Sequence, residues 1–123
     1  MLGKNRVFIN EHDLVEIIVS GDQTVKSVEL MATEAVKLGE SQRSAGKQVL
    51  ILDNLLQIGD VPPEARKRVV ELAKTMKYDK LAMVGKGTVL KLGTNLMLHA
   101  TGKGHRVKYF DDYDKAVSWL KSK

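Results

Sequence analysis

This sequence predicts an α/β fold of order ββαβαβαβα, a mixed, mainly parallel five-stranded sheet covered by about four helices. Three observations carry that prediction. Two short β-rich runs, residues 6–10 and 14–20, flank Glu11-His12-Asp13, which has the composition of a tight hairpin turn. Two continuous apolar runs, Val49-Leu50-Ile51-Leu52 and Leu81-Ala82-Met83-Val84, have the pattern of central strands buried on both faces. The segments around them repeat apolar residues at helical spacing. Strand–helix–strand units of this length make right-handed parallel crossovers, and the opening hairpin adds an antiparallel edge.

Each element has its own signals. Asp22 or Thr24 can cap a first helix whose inner stripe is Val28, Met31, Ala32, Ala35 and Leu38, and Gly46 ends it. Asp53 closes the Val49 strand, and residues 55–60 read as a loop. Pro62-Pro63 pre-sets the first turn of a second helix, with Glu64 favourable at its positive end and Ala65, Val69, Leu72, Ala73 and Met76 inward. Thr88 can cap a further helix expected to run to about Ala100. Residues 106–110 alternate as a last strand, and Asp111-Asp112 cap a final helix with Ala116, Val117 and Leu120 inside. No linker or repeat interrupts the chain, so residues 1–123 are expected to form one domain.

Composition narrows the function classes. There is no cysteine, which removes disulfides and thiol chemistry. The start lacks an apolar leader and no run reaches membrane-spanning length, so a cytoplasmic protein without a transmembrane segment is expected. The net charge of +5 is uneven. Residues 1–61 carry 6 Lys and Arg against 9 Asp and Glu, giving −3, while residues 62–123 carry 14 against 6, giving +8. A basic half suits phosphate or an acidic partner, and equally a solvated surface. Nucleic acid is not the expected partner, because the basic half has no aromatics interleaved on a strand face.

Three stretches resemble a known family. They are Val49-Leu50-Ile51-Leu52-Asp53, Asp79-Lys80-Leu81-Ala82-Met83-Val84-Gly85, and Val107-Lys108-Tyr109-Phe110-Asp111 followed by Ala116-Val117-Ser118-Trp119-Leu120. Together they resemble the STAS-like fold of bacterial anti-sigma-factor antagonists and the small SpoIIAA-like proteins, related in topology to the CRAL-TRIO lipid-binding group. The resemblance implies a regulatory module and, in the antagonists, a phosphorylatable serine after the aspartate that closes the third strand. Here Asp53 is followed by Asn54-Leu55-Leu56-Gln57-Ile58, and no Ser or Thr precedes Pro62. A phosphorylation switch at that spot has no acceptor hydroxyl.

Candidate ligand or partner residues fall in three places. Asp53 and Asn54 stand at the expected carboxyl end of a central strand, where open α/β sheets place ligands, and an Asx turn explains them as well. Lys86, Gly87 and Thr88 begin a helix and can offer an anion backbone amides plus one cation. The order Gly85-Lys86-Gly87-Thr88 is not a P-loop, and a simple capped turn explains it too. Residues 89–100 are apolar nearly all round, so Leu92, Leu96 and Met97 are expected to line a partner surface or pocket, or to be ordinary core. His12, His99 and His105 share no ligand spacing, so no metal, cofactor or catalytic residue is expected. Two functions follow. The first is a non-enzymatic regulatory or protein-interaction module, binding a protein or itself as a homodimer. The alternative is a small-molecule or lipid-binding protein with an apolar pocket.

Overall fold

The computed structural model, which describes residues 4–87 and 106–123, begins with the hairpin. Strands β1 (Arg6–Ile9) and β2 (Val15–Gly21) pair antiparallel, Arg6 opposite Ile18 and Ile9 opposite Val15. Asn10 shapes the turn, its Oδ1 accepting the amides of His12 at 2.9 Å and Leu14 at 3.1 Å. Asp13 sits at φ 63°, a conformation a side chain resists unless the surroundings hold it. Gln42 Nε2 donates to its carbonyl at 3.1 Å and to Oδ1 at 3.2 Å, and Lys47 Nζ lies 2.9 Å from Oδ2. The hydrogen bond from Lys47 and then that from Gln42 hold the Asp13 carboxyl below its ordinary value.

Helix α1 (Val25–Ser44) starts on a reciprocal cap. Thr24 Oγ1 accepts the Ser27 amide at 3.0 Å and Ser27 Oγ accepts the Thr24 amide at 2.9 Å, a capping box with serine in place of the usual glutamate. Below it, buried Gln23 donates to the Ser20 and Gly21 carbonyls and exchanges hydrogen bonds with Asn5, tying β1, β2 and α1 at one corner.

Strand β3 spans Leu50–Ile58, which corrects two expectations. Asp53 does not close the strand but lies mid-strand, and residues 55–58 are strand rather than loop. The reason is pairing. β3 keeps β2 beside it as far as Gly21 opposite Ile58, although its pairing with β4 (Lys80–Val84) stops at Asn54 opposite Val84. One ladder therefore continues the strand past its polar residues. Strand β5 (Val107–Phe110) completes the order β1-β2-β3-β4-β5, with every pair after the hairpin parallel and β3 and β4 interior, as expected. The described residues hold two further helices, α2 (Pro63–Thr75) and α3 (Tyr113–Lys121). The helix expected at 88–100, with Thr88, Leu92, Leu96 and Met97, lies outside the described residues, as do His99 and His105.

The period-2 alternation of the strands divides the core. Val15, Ile17, Val19, Ile51, Leu55, Leu81 and Met83 face α1 and α2, whereas Leu14, Leu52, Ala82 and Val84 face α3 with its Ala116 and Leu120. The expected cap holds the start of α3, and an unexpected cation holds its end. Asp112 accepts the Lys115 amide at 3.1 Å. At the other end Lys80 Nζ donates to the Trp119 and Ser122 carbonyls at 2.9 and 2.8 Å, lying 5.1 Å from the Trp119 ring centre. A cation is favourable at that negative helix end.

Candidate functional site: opposite faces of strand β3

Neighbouring side chains on a strand point to opposite faces, so the structure separates Asp53 from Asn54. Asp53 shares its face with Ile51 and Leu55, under α1 and α2. Its cross-strand neighbours are Ile17 on β2 and Met83 on β4, both apolar. Its Oδ1 is out of solvent and has no hydrogen-bond partner. Burial pushes the Asp53 carboxyl up to about 7, because a charge in apolar surroundings loses its hydration.

Asn54 turns to the α3 face and joins a polar cluster around Glu16, a β2 residue only 4% exposed. Glu16 Oε1 accepts from the Tyr113 hydroxyl at 2.6 Å and from Asn10 Nδ2 at 2.9 Å, while Oε2 accepts from Asn54 Nδ2 at 3.3 Å. Burial, and then the hydrogen bond and charge of Glu16, push the Tyr113 hydroxyl up to about 12. The phenol therefore acts as a donor and not as a base. Three donors on one carboxyl make this cluster a clasp between hairpin, β3 and α3. Tyr113→Phe is expected to cost about 1–3 kcal/mol, since it removes one donor from a buried acid. Urea unfolding at neutral pH measures it, and an unchanged midpoint would show that the cluster does not hold α3.

Gly85 is tied to β5, its amide donating to the Phe110 carbonyl at 3.0 Å and its carbonyl accepting the Tyr109 hydroxyl at 3.2 Å. Lys86 and Gly87 then leave the sheet exposed, with Gly87 at φ 88° and open space where a Cβ would stand. Among the described residues no group of His, Asp and Glu is placed to hold a metal ion. No described helix is long and apolar enough to cross a membrane.

A cleft of about 380 Å³ runs between α1 and α2 on the Asp53 side, floored by Ala35, Ile51, Leu72 and Met76, with Glu40, Arg43 and Lys77 also lining it. Arg43 Nη2 reaches the Lys77 carbonyl at 3.4 Å, and Arg68 pairs with Glu29 at 3.0 Å between the same helices. Neither the Glu16 cluster nor this cleft was visible as a site in the sequence. One signal pointed to the first: Glu16 interrupts the run Leu14-Val15-Glu16-Ile17-Ile18-Val19, and a lone acid in a buried strand needs donors.

With this arrangement in view, the comparison with known proteins is decisive for the family. The family model described as SpoIIAA-like matches residues 14–121. The chain belongs to the SpoIIAA-like family. Two solved structures share the SpoIIAA-like fold seen here. One is an uncharacterised protein of the DUF3478 family from Shewanella loihica PV-4, 18% identical, with a TM-score of 0.67 over 97% of this chain and 94% of that one. The other is an anti-sigma factor antagonist from Mycobacterium paratuberculosis, 12% identical, with a TM-score of 0.64 over the same shares. No curated protein sequence matches the chain significantly.

Proposed function

We propose that this SpoIIAA-like chain is a non-catalytic regulatory module, one domain over residues 1–123, that works in the cytoplasm by binding a protein partner or a second copy of itself. The observation that carries the reading is the family membership, joined to the fold likeness with an anti-sigma factor antagonist, a protein named for acting on another protein. Exposed apolar side chains support it: Leu30 is 60% exposed, Leu56 45% and Val36 44%. They stand apart, Leu56 on the α3 face of β3 and the other two on α1, so each is a separate anchor for a partner rather than one patch. Leu92, Leu96 and Met97 are proposed as further contacts of that partner, and Lys86, Gly87 and Thr88 as an anion-binding turn beside it. Control of binding has to come from something other than a phosphoserine after Asp53 and before α2, since residues 54–62, the end of β3 and the turn after it, contain no hydroxyl.

Native mass spectrometry of the protein drawn gently from the cells that make it tests this reading. The expected result is a complex of fixed stoichiometry, a homodimer or a heterocomplex, that Leu30→Lys or Leu56→Lys weakens while circular dichroism stays unchanged. A monomer at every concentration, with no protein bound, would end it. A second reading, a carrier of a small apolar molecule, is favoured by the cleft between α1 and α2.

A further inference from the structure

Adjoining the α1–α2 cleft is a second, smaller pocket of about 80 Å³, itself half open, walled by Ile17, Val28, Met31, Val69 and Leu81, with Asp53 as its one acid. Ala32, Leu72 and Met76 line both spaces, so the outer cleft and the inner cavity adjoin through a shared wall. The lining is apolar, two methionine thioethers included, except at Asp53 and Tyr78, whose phenol burial holds above its ordinary value. A carboxyl oxygen without solvent or donor is costly to bury, and such groups are rare unless something else satisfies them. Glu16, the buried acid of the opposite face, shows what this fold does when an acid is only structural: it surrounds it with donors. Asp53 has apolar cross-strand neighbours instead.

We propose that the cleft and the inner cavity form one site for a small primary amine carried on an apolar body, its ammonium paired with Asp53 and its hydrocarbon lying along Leu72, Met76 and Ala35. An ammonium supplies both the positive charge and the donor that Asp53 Oδ1 lacks, and charge-assisted pairs are the stronger kind of hydrogen bond. The volume suits a short chain or single ring, being at the lower end of ligand pockets. A fatty carboxylate is the wrong sign for this floor. The proposal deepens the small-molecule reading and rests on it.

Calorimetric titration with hexylamine, 1-hexanol and hexanoate, slightly above neutral pH, separates the two claims. Hexylamine is expected to bind at least about tenfold more tightly than 1-hexanol, with hexanoate weakest. Asp53→Asn should bring hexylamine down to the level of the alcohol and leave the alcohol unchanged. Equal binding of amine and alcohol by the natural chain would overturn the amine site while leaving an apolar pocket in place. Failure of all three to bind would remove both. Should the Asn variant not fold, the amine-to-alcohol ratio of the natural chain decides alone.

Discussion

Asp53→Asn is expected to yield a protein whose stability, relative to the natural chain, rises steadily between about pH 4 and pH 7. The folded chain holds the Asp53 proton up to about pH 7, whereas the unfolded chain releases it near the ordinary value of 3.8. Between those values the folded state binds one more proton than the unfolded state, so stability falls as pH rises. The contribution is fully present below 3.8 and lost as pH passes through about 7. At about 1.4 kcal/mol per pH unit the interval sets an upper bound of about 4 kcal/mol, which the partial exposure of Asp53 reduces. The Asn side chain carries no charge to neutralise, and any cost of burying its amide is the same at every pH. Urea unfolding of both proteins across this range gives a difference curve in which the other carboxyls cancel. A flat curve would mean that Asp53 is solvated or paired in the folded chain.

The same residue shows where sequence reasoning ran out. A polar pair after Val49-Leu50-Ile51-Leu52 reads as the end of a strand, because a buried carboxyl is costly and turns favour Asp and Asn. Three-dimensional pairing overrode that local signal. β2 offers a ladder as far as Gly21, so β3 follows it through Asp53 and Asn54 to Ile58. What was legible depended on signals held within a few residues of one another. The hairpin turn, the Thr24 cap, the Pro62-Pro63 start and the Asp112 cap all belong to that kind, and each is where it was expected. The apolar runs at 49–52 and 81–84 also implied interior parallel strands, since a strand covered on both faces has no polar side.

The Glu16 cluster belongs to the other kind. Its strongest contact joins residues 97 positions apart, and no local pattern announces that Tyr113 will reach β2. In the sequence Asp53 and Asn54 read as neighbours at one site, yet alternation along β3 gives them separate surroundings and separate chemistry. Glu16 and Asn54 are satisfied by each other and by Asn10 and Tyr113, which fits a clasp. The carboxyl of Asp53 faces a cavity with an apolar wall. That contrast between a buried acid and a half-buried one, on opposite faces of one sheet, separates a structural group from a candidate binding group.

Gly59→Ala is expected to destabilise the domain by about 3 kcal/mol, more than most single methyl additions. Gly59 follows β3 where the chain turns back over the end of β2. A Cβ there would stand 2.5 Å from Asp22 Oδ1, 2.7 Å from the Gly21 carbonyl carbon and 2.9 Å from the Asp22 amide nitrogen. Two of those three neighbours are backbone atoms, which cannot rotate aside as a side chain can. Relief therefore requires the β3 end to move off β2. That movement strains three hydrogen bonds at once: Gly59 amide to Gly21 carbonyl at 2.8 Å, Asp60 amide to Asp22 Oδ1 at 2.9 Å, and Gln23 amide to Asp60 carbonyl at 2.8 Å. Each is worth about 0.5–1.5 kcal/mol, and a buried partner left unsatisfied costs more. The Gln23 bond matters most, because Gln23 is the buried hub that joins β1, β2 and the start of α1. Thermal unfolding measured for Gly59→Ala beside Gly46→Ala gives an internal control, as no atom stands within 4 Å of a Cβ built at Gly46. Gly46 has φ 78° and loses stability through its backbone alone, so the Gly59 variant should melt at the lower temperature. Equal melting temperatures would show that the β2–β3 end yields freely, and that Gly59 is not what allows the two strands to close.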